Sequence, residues 1–228
     1  MKILLLSSTY DSLIQRLHVE LTQQGHEVAF DIASNDTQTL EIAQQNKPEL
    51  IICPSFEVKL PKGIWDQYRC ITLQFNVGDD SGPSCLDWAI QQHEATCAIT
   101  AIQASSEMDV GNIWGRVSFT IRSTNKSSIY LLEVQEAAVK VVLAAIERSQ
   151  DYNSLAIQAH SRPFMSQVDR QINWELDSTA TVLSKIRAAD GYPGVADNIR
   201  GMDYYIYGAT EEDTLRGSPK ALIAKRFG

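Results

Sequence analysis

The first 32 residues, MKILLLSSTYDSLIQRLHVELTQQGHEVAFDI (residues 1–32), hold the pattern that decides the fold. Ile3 to Leu6 is an unbroken apolar run, the form of a strand buried on both faces of a parallel sheet. Leu13, Ile14, Leu17 and Leu21 then recur at helical spacing, and Gly25 is placed to end that helix in the left-handed conformation. Val28 to Ile32 predicts a second strand. The unit repeats. Asn35 or Asp36 opens a helix through Leu40, Ile42 and Ala43, and Pro48 precedes a third strand in ELIICP. A short turn with Pro61, Ile64 and Trp65 leads to a fourth strand, Cys70 to Gln74. Strands alternating with helices through short links predict an α/β protein with a doubly wound, mostly parallel sheet.

Further along, Leu86 to Gln91 predicts a helix and TCAITAIQA a strand. A tight turn at Met108 to Gly111 leads to a strand at Ile113 to Ile121 and a long helix at Ile129 to Arg148. The polar connection QDYNSLAIQAHSRPF precedes a helix at Thr179 to Ala189, and DYYIYGA reads as a strand. This organisation gives a core over residues 1–150 and, over residues 151–228, a connecting segment and the start of a short helical and β extension. The last apolar run, ALIAKR, opens a strand with no partner left, so the chain is expected to be the front part of a longer protein.

Composition narrows the classes. A net charge of −8 disfavours nucleic-acid phosphates and anionic membrane surfaces as partners. MKILLL is too short for the hydrophobic region of a signal peptide, and no stretch approaches membrane-spanning length. Cys53, Cys70, Cys85 and Cys97 show no CxxC spacing, which suits reduced thiols in the cytoplasm and gives no zinc pattern.

Ligands of open α/β sheets bind beyond the carboxyl ends of the strands. A dinucleotide would need glycines in the turn after the first strand, and that turn is SSTYDS; no P-loop pattern occurs either. Two segments remain, CITLQFNVGDDSGPSCLDWAI (residues 70–90) and SSEMDVGNIW (residues 105–114). Asp109, just before Val110 and Gly111, reads either as turn chemistry or as a catalytic carboxylate facing the Gln74 loop. Asp79 and Asp80 read as an exposed acidic turn or as ligand contacts. Trp88, Trp114 and Trp174 fit the core or a stacked pterin. Lys185 and Arg187 fit solvent or a ligand's anionic group.

The segments SLIQRLHVELTQQGHEV, PELIICPS with LPKGIW, GPSCLDWAI, SSEMDVGNIW and INWELDSTATVLSKIRAADGYPGV together resemble the folate-dependent formyltransferases, the family of methionyl-tRNA formyltransferase and the formyltetrahydrofolate hydrolases. More narrowly they resemble the N-terminal part of the HypX/HoxX hydrogenase-maturation proteins. The resemblance implies a formyltransferase-like, Rossmann-type fold and formyl transfer from 10-formyltetrahydrofolate. It implies an amine or a coenzyme A-type thiol as acceptor, and a following domain similar to enoyl-CoA hydratases. The family uses an Asn-x-His pair and a later Asp. Carried over, Asp109 matches the aspartate, the histidine position falls on Gln74 and the asparagine position on Thr72. Ser81 stands where an arginine precedes the glycine that matches Gly82. A shifted register would put Asn76 on the asparagine, but then Gly78 meets the histidine and Gly82-Pro83-Ser84 is misaligned. Folate contacts are expected at Asn76, Gly78, Asp80, Gly82, Ser84, Met108 and Gly111.

In either register the histidine is missing, and His18, His26, His93 and His160 all lie outside this loop. A glutamine amide can donate to a developing oxyanion but cannot exchange a proton near neutral pH. Two readings follow: a transferase relying on Asp109 for protons, or a catalytically inactive folate-binding or protein-interaction module.

Overall fold

In a computed structural model, the structure describes residues 1–54, 60–78, 80–105, 111–148, 160–191, 193–218 and 221. The opening stretch folds as its pattern requires. β1 (Lys2–Ser7) is an interior strand of the sheet, and Ile3 to Leu6 are at most 1% exposed. α1 (Ser12–Gln23) buries Leu13, Ile14, Leu17 and Leu21, each worth roughly 1.5–3 kcal/mol on burial. Its N-terminus is capped by Asp11, whose carboxylate accepts from the backbone amides of Leu13 and Ile14, both at 3.0 Å.

β2 (Glu27–Ile32), α2 (Asp36–Asn46, capped by Asn35), β3 (Leu50–Cys53), α3 (Lys62–Trp65) and β4 (Cys70–Val77) complete the parallel part, in the order β2-β1-β3-β4. β5 (Asp80–Ser81) folds back on the end of β4, followed by α4 (Cys85–Gln91). β6 (Thr96–Gln103) and β7 (Ile113–Thr120) extend the sheet beyond β4 with antiparallel pairing, giving a mixed, mostly parallel α/β sheet. α5 (Lys126–Ile129), a π-helical turn (Tyr130–Val134) and α6 (Gln135–Arg148) pack on the α1 face of the sheet. The expected long helix therefore starts three residues early and carries a π turn. Within that turn Tyr130 donates to Asp11 Oδ2 at 3.2 Å, tying the turn to the α1 cap.

β8 (His160–Ser161) pairs with β5, and α7 (Gln167–Arg170) and α8 (Thr179–Ala188) follow. β9 (Val195–Ile199) and β10 (Met202–Ile206) form a separate hairpin. The sequence reading finds β10 but misses β9. Its two-residue turn is Arg200-Gly201, both at positive φ, and an arginine in that place gives little warning of such a turn. The ALIAKR strand, beyond Ala221, lies outside the described residues.

The segment after residue 160 is joined closely to α4. Trp88 Nε1 donates to the Pro163 carbonyl at 2.9 Å, and Gln91 Nε2 to the Asp169 carbonyl at 2.9 Å. Asp87, 11% exposed, accepts from Arg170 Nη2 at 2.7 Å and pairs with Lys126 Nζ at 3.0 Å. Ser184 Oγ donates to the Gln91 carbonyl at 3.3 Å.

Candidate functional site

β4 outlasts β3. β3 pairs with β4 only as far as Cys53 opposite Thr72, whereas β6 pairs from Ile71 to Asn76. The antiparallel ladder therefore carries the strand through Phe75, Asn76 and Val77, where the sequence predicts a loop. Gln74 and Asn76 consequently sit on a rigid strand rather than in a turn.

Side chains alternate along a strand. Leu73 and Phe75 pack with the core on the α1 and α6 side, so Thr72, Gln74 and Asn76 share the opposite face. Directly paired residues share a face, so Thr100 of β6, opposite Gln74, and Ser81 of β5, opposite Asn76, join them. This face is polar and dry. Gln74 is 6% exposed, Asn76 3%, Thr100 1% and Ser81 0%. Gln74 Oε1 and Nε2, Asn76 Oδ1, Thr100 Oγ1 and Ser81 Oγ have no hydrogen-bond partner among the described residues. Native folds rarely bury polar atoms without partners, and a cluster of five atoms marks a place where a polar ligand or water completes the bonding.

The loop beyond the strand is held in shape by groups other than its own. Gly78, at φ 58°, gives its carbonyl to Arg116 Nη2 at 2.6 Å. Asp80 Oδ2 pairs with Arg162 Nε at 2.8 Å, and the Arg162 amide donates to the Ser81 carbonyl at 2.6 Å. Gly82 has φ +126°, and a Cβ there would run into the Arg162 carbonyl oxygen, so this close approach requires glycine. Ser84 Oγ is buried and accepts from the Met165 amide at 3.0 Å. Beyond β6, Gly111 is pressed so closely against the Gln103 carbonyl that a side chain would collide with it. Met108 and Asp109 lie outside the described residues.

Of the expected site residues, the structure brings Gln74, Asn76 and Thr72 onto one face. Gly78, Asp80, Gly82 and Ser84 form the loop beside it. Trp88 and Trp174 are engaged elsewhere, the first with Pro163 and the second with Asp197, and Trp114 is 5% exposed in the main core. Lys185 pairs with Asp177 at 2.6 Å, and Arg187 donates to Ser123 Oγ at 2.8 Å. Thr100, Arg116 and Arg162 were missed. Their part in the site depends on strand register and on contacts across about 80 residues of chain, such as Arg162 to Asp80, which local patterns do not carry. Burial raises the Cys85 thiol to about 11 and the Cys97 thiol to about 12, leaving both inert beside the site.

No family model matches the chain. It is 37% identical over 240 residues to the hydrogenase maturation factor HoxX of Bradyrhizobium diazoefficiens, across 100% of this chain and 42% of that protein. The structure of HypX from Aquifex aeolicus in complex with tetrahydrofolic acid superposes with a TM-score of 0.93 at 37% identity, over 98% of this chain and 40% of that one. Methionyl-tRNA formyltransferase from Clostridium thermocellum shares the fold, with a TM-score of 0.75 at 17% identity over 93% of this chain and 94% of that one.

The chain has the fold seen in methionyl-tRNA formyltransferase and in the N-terminal part of HypX. Over its whole length the chain is a homologue of the HoxX/HypX hydrogenase-maturation factors, and it spans about two fifths of the length of those relatives. No helix among the described residues is long and apolar enough to cross a membrane.

Proposed function

We propose that this chain binds a 10-formyltetrahydrofolate-type donor with its formyl group on the polar face of Gln74, Asn76 and Thr72. The observation that carries the reading is the set of buried, partnerless amide and hydroxyl atoms on that face. The tetrahydrofolic acid held by the HypX relative supports the ligand class.

In the transfer, a nucleophile adds to the formyl carbon, its oxygen becomes an oxyanion, and the C–N bond to the folate nitrogen then breaks. Gln74 Nε2 donates to the oxyanion. The nucleophile loses a proton and the departing nitrogen gains one, and Asp109 is assigned that exchange. Thr72 and Gln74 replace the family's Asn-x-His pair, so general acid–base help from a histidine, typically worth about 10²–10⁴ in rate, is missing. The acceptor in this reading is an amine or a coenzyme A-type thiol, delivered in the cytoplasm toward a following enoyl-CoA hydratase-like domain.

A second reading is favoured by one feature: among the described residues the buried polar face carries no titratable side chain. It makes the chain a folate-binding or protein-interaction module without turnover. Calorimetric titration with tetrahydrofolate and a formylated analogue, followed by a turnover assay on 10-formyltetrahydrofolate, separates the two. Binding with turnover supports the transferase, and binding without it the module. No binding at high micromolar concentration overturns both. In the transferase reading Gln74→His raises turnover by about 10²-fold or more.

A further inference from the structure

Thr100 lies at the centre of the polar face and uses its hydroxyl for nothing that the described residues provide. It is 1% exposed, stands directly opposite Gln74 in the β4–β6 ladder, and its Oγ1 has no partner among the described residues. Opposed residues in an antiparallel pair bring their Cβ atoms to about 4.5–5.5 Å, and diagonal ones to about 7–8 Å. A group bonded to Gln74 Nε2 is therefore within reach of the Thr100 hydroxyl, with Asn76 on the diagonal. For packing alone, valine has nearly the same shape and would bury no hydroxyl.

We propose that Thr100 Oγ1 donates a second hydrogen bond to the formyl oxygen of the bound donor, beside the one from Gln74 Nε2. Gln74 Oε1 and Asn76 Oδ1, the acceptors left over, then suit N–H groups of the ligand. The formyl group is thus held by neutral donors on two neighbouring strands, one of them outside the Asn-x-His positions. This inference rests on the folate reading above.

The test compares the wild-type chain, Thr100→Val and Thr100→Ser, titrated with 10-formyl-5,8-dideazafolate and with 5,8-dideazafolate lacking the formyl group. Thr100→Val is expected to bind the formylated probe about 5- to 10-fold more weakly, the worth of one neutral hydrogen bond. It should bind the unformylated probe within about twofold of wild type, and Thr100→Ser should keep both affinities. The ligand-free Thr100→Val chain should melt no lower than wild type, because a partnerless buried hydroxyl has been removed. Equal weakening of both probes, no weakening of either, or a valine variant that melts lower or fails to fold overturns the inference and leaves the folate reading standing. Wild-type chain that binds neither probe overturns the folate reading itself, and the role of Thr100 with it.

Discussion

Replacing Asp87 by alanine should uncouple the chain's last third from the site loop. Asp87 sits in the first turn of α4, three residues after Ser84, and is 11% exposed. Its two oxygens are divided between Arg170 Nη2 at 2.7 Å and Lys126 Nζ at 3.0 Å, and Arg170 is only 8% exposed. Removing the carboxylate leaves the Arg170 guanidinium buried without its counter-charge, a change that costs about 3–5 kcal/mol in comparable sites. For a domain of this size about 1 kcal/mol shifts the melting temperature by about 2–4 °C, so Asp87→Ala should melt about 6–20 °C lower. Thermal unfolding followed by circular dichroism, with urea midpoints as a check, reads the effect. The double variant Asp87→Leu/Arg170→Met removes both charges and should recover most of the loss, because it is the unpaired guanidinium that is costly. An alanine variant within about 1 kcal/mol of wild type, or a double variant no better than the single one, would refute the reasoning.

Gly82→Ala should destabilise the chain by about 1–3 kcal/mol and weaken folate binding, since φ +126° and the Arg162 carbonyl both exclude a side chain; unchanged melting and binding would contradict this. The hydrogen bond from Lys185 holds the Asp177 carboxyl below its ordinary range, so the pair's contribution is present above the ordinary carboxylate pKa and is lost as pH falls through the lowered value. Urea midpoints measured from pH 7 to pH 3 should fall less steeply for Asp177→Asn than for wild type at the acid end. Thiol labelling at pH 8 should leave Cys85 and Cys97 unmodified in the folded chain and modify both after unfolding, given values of about 11 and 12; prompt labelling of the native chain would count against their burial.

The parallel half of the fold was legible because each element there announces itself locally. Ile3 to Leu6 and ELIICP are continuous apolar runs, and Asn35 and Gly25 punctuate helices as their chemistry requires. The site was half legible. Gln74 and Gly82 could be found by matching segments, but the extension of β4 to Val77 could not, because Phe75-Asn76-Val77-Gly78 reads as a loop until β6 is paired beside it. Thr100 drew no notice for the same reason, since a threonine in an apolar strand becomes informative only when its register against Gln74 is fixed. The β9 strand was hidden by its turn, where Arg200 adopts a conformation more often taken by asparagine or glycine.

Thr72, Gln74 and Ser81, the positions that the resemblance marks as departures from the formyltransferase motif, all fall on the polar face, and the loop beside them is held by other groups. Its curvature does not depend on the side chain before Gly82. It is fixed by the Arg162 amide on the Ser81 carbonyl, the Arg162 guanidinium on Asp80, the Arg116 guanidinium on the Gly78 carbonyl and the Met165 amide on Ser84. Two of these four ties come from guanidinium groups and two from backbone amides, and none involves Thr72, Gln74 or Asn76. The side chains of the polar face can therefore change while the loop stays where it is. A chain built this way can exchange one side chain of that face for another, a neutral amide at Gln74 included, without moving the backbone that carries it.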